Sequence, residues 1–320
     1  MKKLIATACL GMLLTACSKD EQTQPATAQR QATFTAQTEG AGNTTRTNID
    51  ENRNILWTAN DQINIFEKNT VSKKYRVSEG AGTTKAKFTY DSGEPTGTPL
   101  AHNIAIYPFN GNNPEYNYTY EVENGTQADT YTIKNLVIPQ NQYYAGNDLP
   151  AYYQEPNSLM PMVGVSAGNG FAFKNLCGVI KLQIYNEISI QKIREIKVSK
   201  IGGGLMAGLA TAVVGADGTV KSFEVNQGGY PQKDNISLQM IPAVLPSTDP
   251  NILTDFYILV PPTDYPQGIE IRISDEGWEH SSTYKTKPCT IGRNQMMVMP
   301  PLKFIAGTWG TIEDVPMHGA

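Results

Sequence analysis

Residues that bind metals or move protons near neutral pH are scarce in this sequence. Its 320 residues include three histidines, His102, His280 and His318, and four cysteines, Cys9, Cys17, Cys177 and Cys289. No histidine stands within metal-ligand spacing of another or of a cysteine, so neither a zinc or iron site nor any cofactor is expected. Charge is thin as well, at 18% of residues with a formal net charge of −4. The basic footprint of a nucleic-acid-binding protein is missing, which excludes nucleic acid as an expected partner. The longest apolar run, Leu4 to Leu14, is too short for a bilayer span of ~20 residues. There is no G-x-S-x-G elbow, and the glycine-rich stretch IGGGLMAGLA at 201–210 has no lysine at P-loop spacing. It reads as loop and tight packing. No catalytic residue is assigned, and the chain is expected not to be an enzyme.

What is present begins with a label. Met1-Lys2-Lys3 followed by the Leu4 to Leu14 run has the form of a secretory signal peptide. Its end, Leu14-Thr15-Ala16-Cys17, resembles the bacterial lipobox, in which small residues admit the signal peptidase before a lipidated cysteine. Residues 1–16 are then a leader and Cys17 the lipidated first residue of the mature chain. Cys9 lies in the middle of the apolar run and is the weaker candidate. Loss of Lys2 and Lys3 with the leader takes the formal charge from −4 to −6. Residues 17–30 read as a flexible tether, in which SKDEQTQPATAQR, Ser18 to Arg30, has no apolar side chain larger than alanine. Each buried methylene of an acyl chain is worth ~0.8 kcal/mol, so a lipidated Cys17 holds the protein on a membrane without a spanning helix.

From Gln31 onward the hydrophobic period is two. AKFTYD, VIKLQIY and GIEIRIS each alternate an apolar with a polar residue, the pattern of strands wet on one face. TFTAQ, QINIF, NIAIY, YTIKNLVI, REIKVS, NISLQMI and FYILV are further strands, the last apolar on both faces and therefore expected to be central. Turn signals such as Asp91-Ser92-Gly93, Asn124-Gly125 and Asp217-Gly218 separate them. Glu187 to Ile201 is the best helical competitor, but its isoleucines and valines favour strand. Many short strands with regular punctuation imply an all-β fold. Pro161, Gly164, Gly168 and Gly170 collect between two strand-rich halves, which places a domain boundary at 168/169: an N-terminal domain over 31–168, a C-terminal domain over 169–305 and a tail over 306–320. Cys177 and Cys289 form no disulfide framework, and Cys177, inside LCGVI, reads as a small buried hydrophobe.

Two clusters could carry recognition or chemistry. SDEGWEH sets Asp275, Glu276 and Glu279 around Trp278, a carboxylate pair beside an aromatic that could cleave glycosides, with an acidic hairpin and a packed ring as the plainer reading. The doublets Tyr143-Tyr144 and Tyr152-Tyr153 offer flat rings and hydroxyls as a candidate binding surface for sugars or proteins, though tyrosine is also a common strand residue.

The order of several segments resembles the fimbrillin family of Bacteroidota, whose members build type V pili or serve as anchor and accessory subunits. The lipobox comes first, followed by Lys19-Asp20-Glu21, which separately resembles the lysine-plus-acid signal that sends lipoproteins of Bacteroidota to the outer face of the outer membrane; then come Thr45-Arg46-Thr47, WTANDQINIF at 57–66 and AIYPF at 105–109. VIPQNQYYAG at 137–146, PMVGVSAG at 161–168, FKNLCGVIKLQI at 173–184 and TIGRNQMMVMPPLKF at 290–304 follow in the family's order. The resemblance implies two tandem transthyretin-like β-sandwich domains and an outer-membrane, surface-exposed lipoprotein that passes into a fimbrium. It implies cleavage after the first strand by an arginine-specific protease, with Arg46 and Arg53 as the candidate sites, and strand addition by another fimbrial subunit. Host or bacterial surface ligands are further implied partners. Trp57 and Asp61 keep structural roles as a core aromatic and a turn carboxylate. Gly307, Gly310, Pro316 and Gly319 interrupt a long donor strand in the tail, so a donor would come from Met296 to Trp309 or be lacking. The alternative function is a glycan-binding lipoprotein of a nutrient-uptake system, using the tyrosines; a hydrolase built on Glu276 is a distant third.

Overall fold

A computed structural model describes residues 33–39, 56–109, 119–146, 148–151, 160–226, 233–305 and 310–319. Among them every regular element is a strand, as the period of two demands. In chain order the first are β1 (Phe34–Gln37), β2 (Gln62–Lys68), β3 (Lys73–Glu79), β4 (Lys85–Ser92), β5 (Pro99–Tyr107), β6 (Glu121–Asn124), β7 (Thr130–Ile138), β8 (Asn141–Ala145), β9 (Asp148–Ala151), β10 (Met162–Ser166), β11 (Gly170–Ala172) and β12 (Lys174–Asn175). There follow β13 (Gly178–Asn186), β14 (Ile193–Lys200), β15 (Gly208–Gly215), β16 (Val220–Val225), β17 (Asn235–Val244), β18 (Thr254–Val260), β19 (Thr263–Tyr265), β20 (Ile269–Asp275), β21 (Ser281–Thr286), β22 (Cys289–Ile291), β23 (Met296–Val298), β24 (Leu302–Phe304), β25 (Gly310–Val315) and β26 (His318–Gly319).

The first sheet has eight strands in the order β11-β1-β4-β3-β2-β5-β10-β12. Its two ends are neighbours in sequence, since Phe173 alone separates β11 from β12, so the sheet curls until its edges meet. Gly164 on β10 permits the approach, because a Cβ there would stand 3.0 Å from the Cβ of Phe171 on β11. The curl encloses aromatic rings. Trp57 meets Phe88, Phe173 and Tyr107 edge-on, with centroids 5.1, 5.3 and 5.6 Å away, the geometry that ring quadrupoles favour. Beneath Trp57, buried Asp61 closes a turn by accepting hydrogen bonds from Thr58 N (2.6 Å) and from the Tyr107 hydroxyl (2.9 Å). Burial raises its pKa to about 6 against these bonds.

The remaining strands form a seven-stranded sheet, β25-β21-β20-β14-β17-β8-β9, a path β18-β13-β23-β26 with β24 also on β13, a four-stranded sheet, β16-β15-β7-β6, and the pair β19-β22. Hydrogen bonding crosses residue 168 in both directions. β11 and β12 join the first sheet, whereas β6 and β7 lie with β15, and β8 and β9 lie with β17. Ile196 and Val198 on β14, Ile271 and Ile273 on β20, Leu182 and Ile184 on β13 and Ile258 on β18 are fully buried, each set two residues apart as alternation requires.

Three features differ from the sequence expectation. FYILV, expected to be central, forms β18 at the end of its hydrogen-bonded path. Its edge is sealed instead by a side chain: Gln142 Nε2 donates to Leu259 O and Leu259 N donates to Gln142 Oε1, each at 2.9 Å, so both peptide groups of a buried edge residue are satisfied. The last three residues of IGGGLMAGLA, Gly208 to Ala210, open strand β15 rather than continuing the loop, and Gly208, Ala210, Ala212 and Val214 of β15 are buried. Lastly, of the suggested donor Met296 to Trp309, the described residues 296–305 are occupied at home: β23 and β24 pair with β13, and Met296, Met299, Leu302 and Phe304 are buried. Cys177 is buried and Cys289 half-buried, both as free thiols, and burial raises the pKa of each.

Candidate functional site

The segment FTAQTE, Phe34 to Glu39, combines a strand paired on both sides with a carboxylate held by two cations. β1 is short, yet it sits inside its sheet, antiparallel to β4 on one side and parallel to β11 on the other. Phe34 pairs with Phe88, Ala36 with Ala86 and also with Phe171. Beyond the ladder, Thr35 N donates to Asn169 O (2.8 Å), Thr38 N to Thr84 O (3.0 Å) and Phe173 N to Gln37 O (2.7 Å). Phe34, Ala36 and Thr38 alternate into the core and are buried. The ring of Phe34 stacks on Phe171 at 5.4 Å and meets Tyr75 edge-on at 5.1 Å.

One residue past the last buried position, the chain places a carboxylate among cations. Glu39 Oε2 accepts from Arg293 Nη1 at 2.5 Å and Oε1 from Arg293 Nη2 at 3.1 Å, a forked pairing. Lys174 Nζ donates to Oε1 and the Asn175 peptide N–H to Oε2, both at 3.2 Å. Arg293 Nη1 also donates to Asn175 O at 2.8 Å, so one guanidinium holds β1 and β12 together. Arg293 is presented by a tight turn in which Gly292 N donates to Gln295 Oε1 (2.7 Å) and Asn294 adopts φ +55°. Gly178 admits this turn, since a Cβ there would lie 2.8 Å from Gly292 O. The Glu39 side chain is 14% exposed, against 30% for Arg293 and 35% for Lys174. Burial raises the Glu39 pKa, but the hydrogen bonds and charges of Arg293 and Lys174 outweigh it and hold the carboxyl below its ordinary value. The site is therefore a strand position filled by β1, with a cationic end where Arg293 and Lys174 hold the Glu39 carboxylate.

Cys17, Arg46, Arg53, Tyr152 and Tyr153 lie outside the described residues. Tyr143 and Tyr144 are consecutive on β8 and so point to opposite faces. Tyr144 packs against Phe256 with centroids 5.0 Å apart, and the two rings of the doublet make no common platform. In SDEGWEH the Asp275 carboxylate is consumed locally, accepting from Glu279 N (2.9 Å) and pairing with His280 Nδ1 at 2.8 Å, while Glu276 pairs with Lys192 at 3.4 Å. The hydrogen bonds of Asp275 and the charge of His280 overcome its partial burial and lower its pKa. Trp278, expected to pack on its neighbours, is 55% exposed at the tip of this turn with φ +60°. Sequence reading passed over Glu39, Lys174 and Arg293. Glu39 and Arg293 are 254 positions apart, and nothing local to either marks the pair.

No protein-family model matches the sequence, and no curated protein matches it. Among solved structures, the chain is similar to a candidate cell adhesion protein of Bacteroides ovatus, with a TM-score of 0.47 at 11% identity over 90% of this chain and 96% of that one. A candidate cell adhesion protein of Bacteroides uniformis gives 0.44 at 13% identity over 90% and 97%. A C-terminally truncated tip fimbrial protein of Porphyromonas gingivalis gives 0.36 at 10% identity over 90% and 99%.

Proposed function

We propose that this chain is a non-enzymatic cell-surface subunit, fimbrial or adhesive, delivered as a lipoprotein through Cys17 and matured by loss of its first strand. The observation that supports this reading is the interior position of β1. A strand at a sheet edge can leave without consequence, whereas loss of β1 strands Asn169 O, Thr84 O and Phe173 N–H and uncovers the Phe88, Ala86 and Phe171 side chains. Such a slot invites an extended segment of another subunit, which restores the main-chain bonds by strand addition. Arg46 and Arg53 follow β1 by nine and sixteen residues beyond Gln37, so a cut at either would release β1 together with Cys17 and the tether. Chemistry in this scheme belongs to the protease. The test is digestion of the mature chain with an arginine-specific protease, followed by mass spectrometry and unheated gel electrophoresis. A fragment beginning after Arg46 or Arg53 that forms detergent-resistant ladders is the expected outcome; an uncut chain that stays monomeric sinks the proposal.

A further inference from the structure

The slot left by β1 has a chemical preference built into its end. We propose that Arg293 and Lys174 select the incoming strand by its charge, accepting an extended segment of another subunit that carries a carboxylate just past its last inward-facing residue. This rests on the removal of β1 proposed above.

The argument starts from what departs with β1. The sequence FTAQTE presents a buried aromatic, a buried alanine, a buried threonine and then the acid, so the slot is wide where Phe34 lies between Tyr75 and Phe171 and narrow opposite Ala86. When β1 leaves, Glu39 leaves with it. Among the described residues, Arg293 then keeps the Asn175 carbonyl, and Lys174 and the Asn175 peptide N–H lose the carboxylate they share. A guanidinium and an ammonium face one place, at a strand terminus, with a peptide N–H aimed at the same point. An acceptor-only, bidentate group satisfies all of them, and a carboxylate is the protein side chain of that kind. A neutral segment would bury part of this cradle without a counter-charge, and truncating one partner of a desolvated charge pair is costly because the other charge stays unpaired.

The cradle also sets direction. It stands at the C-terminal end of β1, while the aromatic pocket of Phe171 and Tyr75 stands at the N-terminal end. A segment reading aromatic-x-small-x-small-acid fits both ends in one orientation, parallel to β11. The reverse orientation puts its acid against aromatic rings.

The experiment uses the mature chain after arginine-specific cleavage. It is offered a labelled peptide of its own residues Ala32 to Glu39, or the same peptide with Glu39→Gln, and uptake is followed by fluorescence anisotropy at pH 7 and low salt. The expected result is at least tenfold tighter uptake of the acidic peptide, with the preference abolished in the Arg293→Gln chain and reduced in the Lys174→Gln chain. Because the first comparison changes only the peptide, it does not depend on the folding of any variant. Equal uptake of both peptides overturns the selector and leaves the strand-accepting slot standing. A chain that resists cleavage, or takes up neither peptide, overturns the slot and the selector together.

Discussion

The two ends of the folded part contribute strands of opposite character. β1 lies second from the end of its sheet, paired with β11 on one side and β4 on the other and capped by the Glu39 fork, and drives Phe34 and Ala36 into the core. β25 ends its sheet, parallel to β21 alone, with its register shifted between Tyr284 and Thr286. Both are short, so length does not separate them. What separates them is the number of sides that need them. An end strand adds to a sheet that is already closed, whereas an interior strand completes one that is otherwise split.

That contrast is breakable by experiment. Phe34→Ala removes a ring wedged between Tyr75 and Phe171 and is expected to cost about 3–5 kcal/mol in urea unfolding, the usual range for a buried phenylalanine. A cost under about 1 kcal/mol would mean that β1 does not hold the first sheet closed. Asp61 sharpens the comparison from inside the same sheet. Its folded pKa, about 6, lies above the ordinary value of 3.8, so the folded state keeps the proton that the unfolded chain has lost. The stability it contributes is fully present below about pH 4 and is lost as pH rises through 6, on the order of 3 kcal/mol. Urea midpoints measured from pH 4 to 7 follow this decline, and Asp61→Asn flattens it. The Glu39 fork runs the other way: its depressed pKa gives stability that is present above the ordinary carboxylate range and lost as pH falls through the lowered value. Arg293→Gln is expected to lower unfolding stability at pH 7 by about 2 kcal/mol, in line with charge-assisted hydrogen bonds, and to weaken that acid-side loss. The smallest effect belongs to the other end. A chain ending at Ile305 lacks β25 and β26, and its thermal unfolding is expected to shift by no more than about 1–2 kcal/mol. A larger loss than that of Phe34→Ala would invert the comparison.

Legibility in the sequence follows side-chain size. Ile269, Ile271 and Ile273 announce β20, and Ile180, Leu182 and Ile184 announce β13, because large inward residues stand out against polar outward ones. β15 has the same alternation with glycine and alanine at the inward positions, and a hydrophobicity pattern made of small residues is nearly silent. β18 was legible as buried on both faces but not as terminal, because the cover over its edge is the side chain of Gln142, 117 positions away. Within the helical competitor Glu187 to Ile201, residues Ile193–Lys200 form the strand β14, whose branched Ile193, Ile196 and Val198 are all buried. Trp57 and Asp61 could be placed in advance because turn and core aromatic sit four residues apart. Glu39 and Arg293 could not, since a salt bridge between distant loops leaves no trace in local period or composition.

The sequence by itself determined the all-β class and the approximate place of many strands, because alternation depends only on neighbours along the chain and a pleated backbone turns it directly into two faces. It also set the spacing of Arg46 and Arg53 behind the first strand. Tertiary structure alone decided that β1 is interior rather than at an edge, and that its acid meets Arg293 across the molecule. Pairing partners and ion pairs are chosen by which surfaces close together, and that choice is made by the whole core at once.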